Sequence, residues 1–249
     1  MDTYGLLGYP LGHSFSRKFF TEKFQREGIE AEYLNFEIPD AAMLRDIVNS
    51  HPQLRGLNVT IPHKQAVMEQ LDGLSKQARE IGAVNVIKID RNADGTPHLT
   101  GYNADVIGFS RSIAPLLQPH HRKALVLGTG GASKAVCYGL KQLHIEPTWV
   151  SRHAPHLTYA EITPELLQEY TVIVNCTPLG MYPHTDACPS LPYEALTPKH
   201  LLYDLIYNPE ETLFLKRGRE AGAVTKNGLE MLHLQALASW DIWQGTATE

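Results

Sequence analysis

Apolar positions along this chain switch repeatedly between two spacings, and the switching itself predicts the elements. Residues 4–8 are a short apolar run, whereas residues 16–27 carry Phe19, Phe20 and Phe24 at helical spacing until Gly28 stops them. Residues 33–38 read as a second strand, and Asp40 is placed to cap a helix that turns Leu44, Ile47 and Val48 inward. Residues 56–60 form a third strand, and Pro62 stands where the next helix would begin. Two further strand-like stretches, 83–89 and 98–102, flank Asn92-Ala93-Asp94-Gly95, a hairpin signal. Beyond Asp105 the pattern predicts a strand over 123–127, a helix over 132–143, and strands over 147–150, 171–175 and 201–205. A proline-punctuated loop covers 182–198, and a last helix spans 229–244 and returns to the first domain. Such alternation predicts an α/β fold on parallel sheets. It divides into two domains, a discontinuous one over 1–105 plus 227–249 and a second over 106–226.

Composition narrows the class. The chain has 249 residues, 43% of them hydrophobic and 20% charged, enough to bury a substantial core. Its formal charge of -5 is not clustered, which argues against nucleic acid as a partner because phosphate recognition needs concentrated Lys and Arg. Cys137, Cys176 and Cys188 form no CxxC pair, which favours a reducing compartment. No window approaches the ~18 apolar residues of a membrane span, so the expected location is the cytoplasm. Twelve histidines show no HExxH or Cys–His spacing, so no metal site is expected. Trp240 and Trp243 share one helix face and are expected in a core or an interface.

The most specific local motif runs from Ala124 to Ser133, a buried strand entering a glycine-rich turn that opens a helix. Gly128 would make the tight turn, and Gly130 would let a pyrophosphate approach the backbone. The N–H groups of Gly131, Ala132 and Ser133 would then face its charge. This predicts a Rossmann-like dinucleotide-binding domain with a parallel sheet over 106–226. NAD-binding chains place an acidic residue about 20 positions beyond the glycines, at the end of the next strand. Here that stretch is Val150-Ser151-Arg152-His153, and Ser151 with Arg152 suits a 2′-phosphate, favouring NADP.

Four polar motifs occupy the first domain: Gly12-His13-Ser14-Phe15-Ser16, Asn58-Val59-Thr60-Ile61-Pro62-His63-Lys64, Gly82-Ala83-Val84-Asn85 and Gly101-Tyr102-Asn103-Ala104-Asp105. Ser14 and Ser16 are two apart, so in an extended segment both hydroxyls could hold one anionic group. Lys64 falls in the first turn of the predicted helix, where a cation is electrostatically disfavoured. With the glycine turn, Asn175-Cys176-Thr177-Pro178-Leu179-Gly180-Met181, Tyr203-Asp204-Leu205-Ile206-Tyr207 and the Lys226–Gln235 segment, the ordered set resembles the shikimate dehydrogenase family over nearly the whole chain.

The resemblance implies reversible NADPH-dependent reduction of 3-dehydroshikimate to shikimate in aromatic amino-acid biosynthesis, by a monomer or homodimer. It implies that Ser14, Ser16 and Tyr207 contact the substrate carboxylate, and that Thr60, Asn85, Asp105 and Gln235 contact its ring hydroxyls. Lys64 and Asp105 would form the acid/base pair, and Thr177 and Gly228 would join the glycine turn at the cofactor. Ketone reduction builds negative charge on oxygen as hydride arrives, so a proton donor such as Lys64 is chemically required nearby. Asp105 equally suits a helix cap. The chain departs from the family pattern in lacking a second basic residue after Arg152 and in having Ala104 between Asn103 and Asp105. Two rival readings are an NAD-using quinate/shikimate dehydrogenase and a non-catalytic shikimate-binding regulator.

Overall fold

The computed structural model of the chain describes residues 1–12 and 15–247. It forms two compact units, Met1–Ala104 with Ala236–Glu249 and Asp105–Gln235. Unit 1 contains β1 (Asp2–Gly8), α1 (Phe15–Glu27), β2 (Ala31–Glu37), α2 (Leu44–Ser50), β3 (Leu54–Val59), β4 (Gly73–Leu74), α3 (Lys76–Ile81), β5 (Val86–Arg91) and β6 (Pro97–Tyr102). Unit 2 contains α4 (Asp105–Ile113), β7 (Lys123–Leu127), α5 (Gly131–Gln142), β8 (Glu146–Ser151), β9 (Leu157–Thr158), α6 (Pro164–Glu169), β10 (Val172–Asn175), β11 (Leu201–Asp204), α7 (Leu213–Glu220) and β12 (Val224–Lys226). The last helix, α8 (Leu229–Gln244), begins in unit 2 and ends in unit 1.

The unit 1 sheet has the order β2-β1-β3-β5-β6-β4. β1 runs parallel to β2 and β3, but β5 runs against both β3 and β6. The hairpin expected at Asn92–Gly95 joins β5 to β6, so the sheet of unit 1 is mixed rather than wholly parallel. Side-chain alternation divides the sheet between two packed faces. Leu7, Leu57, Val59, Ile87 and Leu99 point to one, where they meet Leu44 and Val48 of α2. Tyr4 points to the other, into an aromatic cluster with Phe20 and Phe24 of α1 and with Trp240 and Trp243 of α8. The Trp243 ring lies over Gly56, where a Cβ would collide with it, and its indole N–H donates to the Ile87 carbonyl (3.0 Å). Both late tryptophans thus belong to a core.

Unit 2 carries a six-stranded, wholly parallel sheet in the order β12-β11-β10-β7-β8-β9. Counted from its first strand this is the doubly wound order 3-2-1-4-5-6, whose direction reverses between β7 and β10. Its central strands β7, β10 and β11 are continuous apolar runs because both faces are covered. Ala124, Val126, Val172 and Val174 meet Phe109 of α4 and Val136 and Leu140 of α5, whereas Leu125, Leu127 and Ile173 meet Leu167, Phe214 and Leu215. The unit boundary falls inside α8 because Met231 joins the unit 2 core while Trp240 and Trp243 join unit 1.

Candidate active site

Strand direction gathers the polar motifs of unit 1. The parallel strands β1 and β3 end at one edge of the sheet; β5, antiparallel to β3, begins there, and β6 ends there. The segments after β1, after β3, before β5 and after β6 therefore emerge together. Backbone bonds stitch them: Thr60 N–H to Leu7 O (2.9 Å), Tyr9 N–H to Ile61 O (3.2 Å), Val59 N–H to Asn85 O (2.8 Å) and Asn85 N–H to Tyr102 O (3.1 Å).

Buried carboxamides complete the lock. Asn85 Oδ1 accepts from the Ala104 N–H (2.6 Å), and Asn103 Nδ2 donates to the Ala83 carbonyl (2.9 Å). Asp105 follows directly on Ala104, so its backbone leaves the Asn85 lock. Asn58 Nδ2 donates to Ser239 Oγ (2.8 Å), while Asn58 Oδ1 accepts from the Tyr33 hydroxyl (2.8 Å). That phenol is also hydrogen-bonded to Ser16, and burial holds its pKa well above the ordinary value. Ser16 is thus tied to the sheet through Tyr33. Ser14 and His13 lie outside the described residues.

Lys64 is not in the first turn of an α-helix, contrary to the sequence reading. Residues 61–65 are turns, followed by a 3-10 stretch, Ala66–Gln70. The cause is local: the Lys64 carbonyl accepts from the Val84 N–H (2.7 Å), and the Met68 N–H, its helical partner, goes to Gln65 O instead (3.1 Å). The neighbouring His63 ring is buried with Nε2 on the Ile38 carbonyl (2.7 Å), which anchors the turn. The half-buried Lys64 is therefore fixed by its backbone beside Val84 and Asn85, ahead of the 3-10 stretch rather than inside an α-helix.

In unit 2 the glycine turn sits at the switch point of the sheet. Gly128 has φ 103°, and a Cβ there would meet Thr177 Cγ2 at 3.2 Å and the Cys176 carbonyl oxygen at 3.3 Å. Gly128 and Thr177 therefore lie side by side at the ends of β7 and β10. Gly130 borders open space, and as N-cap of α5 it supplies no side-chain cap. The N–H groups of Gly131, Ala132 and Ser133 precede the first helical bond, from Lys134 N–H to Gly130 O (3.4 Å). This open, uncapped turn fits a dinucleotide pyrophosphate. Ser133, in place of a third glycine, is fully buried and its hydroxyl donates to Gly130 O (2.7 Å), so its side chain serves the turn.

At the end of β8, Ser151 Oγ bonds to both the N–H and the carbonyl of His153. Its hydroxyl shapes the turn that presents the exposed Arg152. Gly228 donates its N–H to Ile206 O (3.0 Å), and a Cβ there would run into the Leu205 carbonyl oxygen. It holds the segment bearing the part-exposed Tyr207. Gln235, with Nε2 on the Leu232 carbonyl (2.9 Å), packs on Gly108, one helical turn from the buried Asp105. Burial first, then the neighbouring Cys137 thiol and the Asp204 and Asp105 carboxylates, push the Cys176 thiol's pKa up.

The sequence reading assigns no role to the buried polar side chains Asn58, Asn103, Asn175 and Asp204, although all four lie in its motifs. Asp204 carries a usable signal: an acid closing the apolar run Leu201-Leu202-Tyr203 must be buried with partners. Burial pushes its pKa up to about 6, against the hydrogen bonds from Thr212, Ile206 and Asn175.

Comparison with known proteins places the chain. The model described as the shikimate dehydrogenase substrate binding domain matches residues 6–87. A relative from Desulforamulus reducens, named shikimate dehydrogenase (NADP(+)), is 35% identical, the alignment covering 97% of this chain and 89% of the relative. The solved chorismate mutase/shikimate 5-dehydrogenase fusion protein from Clostridium acetobutylicum is similar at TM-score 0.84 and 37% identity, over 100% of this chain and 93% of that one. Shikimate 5-dehydrogenase from Thermus thermophilus, solved with NADP(H) and shikimate, gives TM-score 0.84 at 30% identity, over 100% and 95%. The doubly wound sheet with its open glycine turn, in a chain that also carries a second α/β unit, defines a protein of the Rossmann dinucleotide-binding class. The chain belongs to the shikimate dehydrogenase family.

Proposed function

We propose that this protein catalyses the reversible NADPH-dependent reduction of 3-dehydroshikimate to shikimate. The observation that carries the reading is the convergence of the Ser16, Thr60–Lys64, Asn85 and Tyr102–Ala104 segments at one edge of the unit 1 sheet. When bound, the nicotinamide supplies the hydride. Lys64 gives the proton that the carbonyl oxygen requires, and Asp105 holds the Lys64 ammonium in place. Ser14, Ser16 and Tyr207 take the substrate carboxylate, and Thr60, Asn85, Asp105 and Gln235 its ring hydroxyls. Gly128, Gly130, Gly131, Ala132 and Ser133 seat the pyrophosphate, with Thr177 and Gly228 beside it.

The exposed Arg152, on a turn shaped by Ser151, favours a 2′-phosphate and hence NADP over NAD. No helix among the described residues is long and apolar enough to cross a membrane. The proposed setting is the cytoplasm, and the proposed working form is a monomer or homodimer. The deciding experiment follows cofactor absorbance with shikimate, NADP and NAD being compared side by side. Turnover favouring NADP is the expected result. Turnover with NAD alone would reverse the cofactor assignment, and folded protein inactive with both would overturn the reaction.

A further inference from the structure

Unit 2 holds a buried carboxylate that contacts neither proposed ligand yet joins the two loops that serve them. Asp204 closes β11 with no exposed surface. Its Oδ1 accepts from Asn175 Nδ2 (3.0 Å) and from the Ile206 N–H (3.0 Å), and its Oδ2 accepts from the Thr212 hydroxyl (2.6 Å). Asn175 Oδ1 in turn accepts from both the N–H (3.0 Å) and the hydroxyl (2.7 Å) of Thr177. One connected set of bonds therefore runs from Thr177, beside the glycine turn, through Asn175 and Asp204 to both ends of the segment carrying Tyr207. The Leu205 N–H to Asn175 O bond (3.0 Å) and the Tyr182 N–H to Asn208 O bond (3.2 Å) tie the same two loops.

We infer that Asp204 is a positioning residue that sets the cofactor-side loop at Thr177 and the substrate-side loop at Tyr207 in register with each other. The inference rests on the ligand roles proposed above. Its chemistry follows from the donor set: every partner of the carboxylate is a donor, and only an ionised carboxylate accepts from all of them. A carboxamide in the same place has a single acceptor oxygen: its N–H either meets the Asn175 and Ile206 donors or forces the Thr212 hydroxyl, which also accepts from the Leu215 N–H, to turn its proton away.

The same reasoning gives the arrangement a pH dependence. Burial brings the Asp204 pKa to about 6, so acid adds a proton to a carboxylate whose bonds all accept, and the Thr212 hydroxyl must reverse its bond to take that proton. The titratable groups that feel its charge are the Cys176 thiol at the end of β10, which also feels Asp105, and the Tyr193 phenol. Burial raises the pKa of both, so neither brings a compensating charge. Arg217, beside Tyr193, is the nearby cation.

The test compares the wild type, Asp204→Asn, Thr212→Val and Thr212→Ser. In ligand-free protein, amide hydrogen exchange should accelerate in both the 176–182 and the 205–212 segments of Asp204→Asn and Thr212→Val. Thr212→Ser, which keeps the donor, should exchange like the wild type. In assays, KM for NADP and KM for shikimate should rise together by about 10-fold, as for loss of one hydrogen bond to a charged group, with kcat less affected. Both wild-type KM values should also rise below about pH 6, a limb that Asp204→Asn lacks. Acceleration in only one segment, or a rise in only one KM, overturns the positioning role while leaving the reaction intact. If Asp204→Asn does not fold, the Thr212 pair decides alone, and equal behaviour of Val and Ser overturns the inference. A wild type without turnover refutes the proposed function and, with it, the ligand roles on which Asp204 depends.

Discussion

The two units fasten loops at a sheet edge with different chemistry. Unit 1 uses neutral carboxamides: Asn58, Asn85 and Asn103 are buried and bridge backbone or hydroxyl groups. Unit 2 uses a carboxylate, Asp204, with a single carboxamide beside it. A carboxamide offers donor and acceptor at every working pH. A buried carboxylate accepts more bonds, and its hold depends on ionisation. The same architectural task therefore makes the carboxamide ties of unit 1 indifferent to acid and the Asp204 tie of unit 2 responsive to it.

The largest effect that separates the two is on stability. Asp204 has a folded pKa of about 6, above the ordinary 3.8, so its contribution is present below 3.8 and lost as pH rises through about 6. The loss is on the order of 3 kcal/mol. Urea unfolding from pH 4 to 7 should show this fall in the wild type and not in Asp204→Asn; parallel curves would break the contrast. On the unit 1 side, Lys64→Ala should cut turnover by at least ~10²-fold, about 2.7 kcal/mol of barrier, with an unchanged melting temperature. Near-normal turnover would remove Lys64 from the chemistry.

Asn85→Ala strands the buried Ala104 N–H and should cost about 1–3 kcal/mol, equally at pH 5 and pH 8. A pH-dependent cost would mean that a titrating group shares the Asn85 tie. The smallest effect is expected at Arg152, which sits on an exposed turn. Arg152→Ala should raise KM for NADP about 10-fold and leave KM for NAD unchanged, as for removal of one charge-assisted hydrogen bond. Equal shifts for both cofactors would deny it a role at the 2′-phosphate.

Legibility in the sequence follows the range of the interactions. α8 lies at residues 229–244 as the spacing predicts, because its pattern is long and Gly228 and Gly245 bracket it. β7 and the glycine turn are equally plain, since a buried strand entering glycines is a local signal. The short strands β4, β9 and β12 escape the pattern because two or three residues carry no period. The false helix at Lys64 shows the limit of a local start signal: Pro62 fits a helix N-terminus, but the Lys64 carbonyl is taken by Val84. The four motif segments are visible in the sequence, whereas the partners of the amides that fasten them are not. Asn58 bonds to Ser239, 181 residues away, and no spacing rule reaches that far.

The discontinuity of unit 1 bears on how the protein is made. Its aromatic face is completed by Trp240 and Trp243, which are synthesised after every strand of unit 2. Until they emerge, Tyr4, Phe20 and Phe24 have no cover from α8, and Gly56 is an open groove in the sheet. Unit 2 is contiguous from Asp105 to Gln235 and has no such wait. During translation the earlier-made unit should therefore be the later to close, leaving its apolar face available to chaperones for the time a ribosome needs to traverse the second sheet.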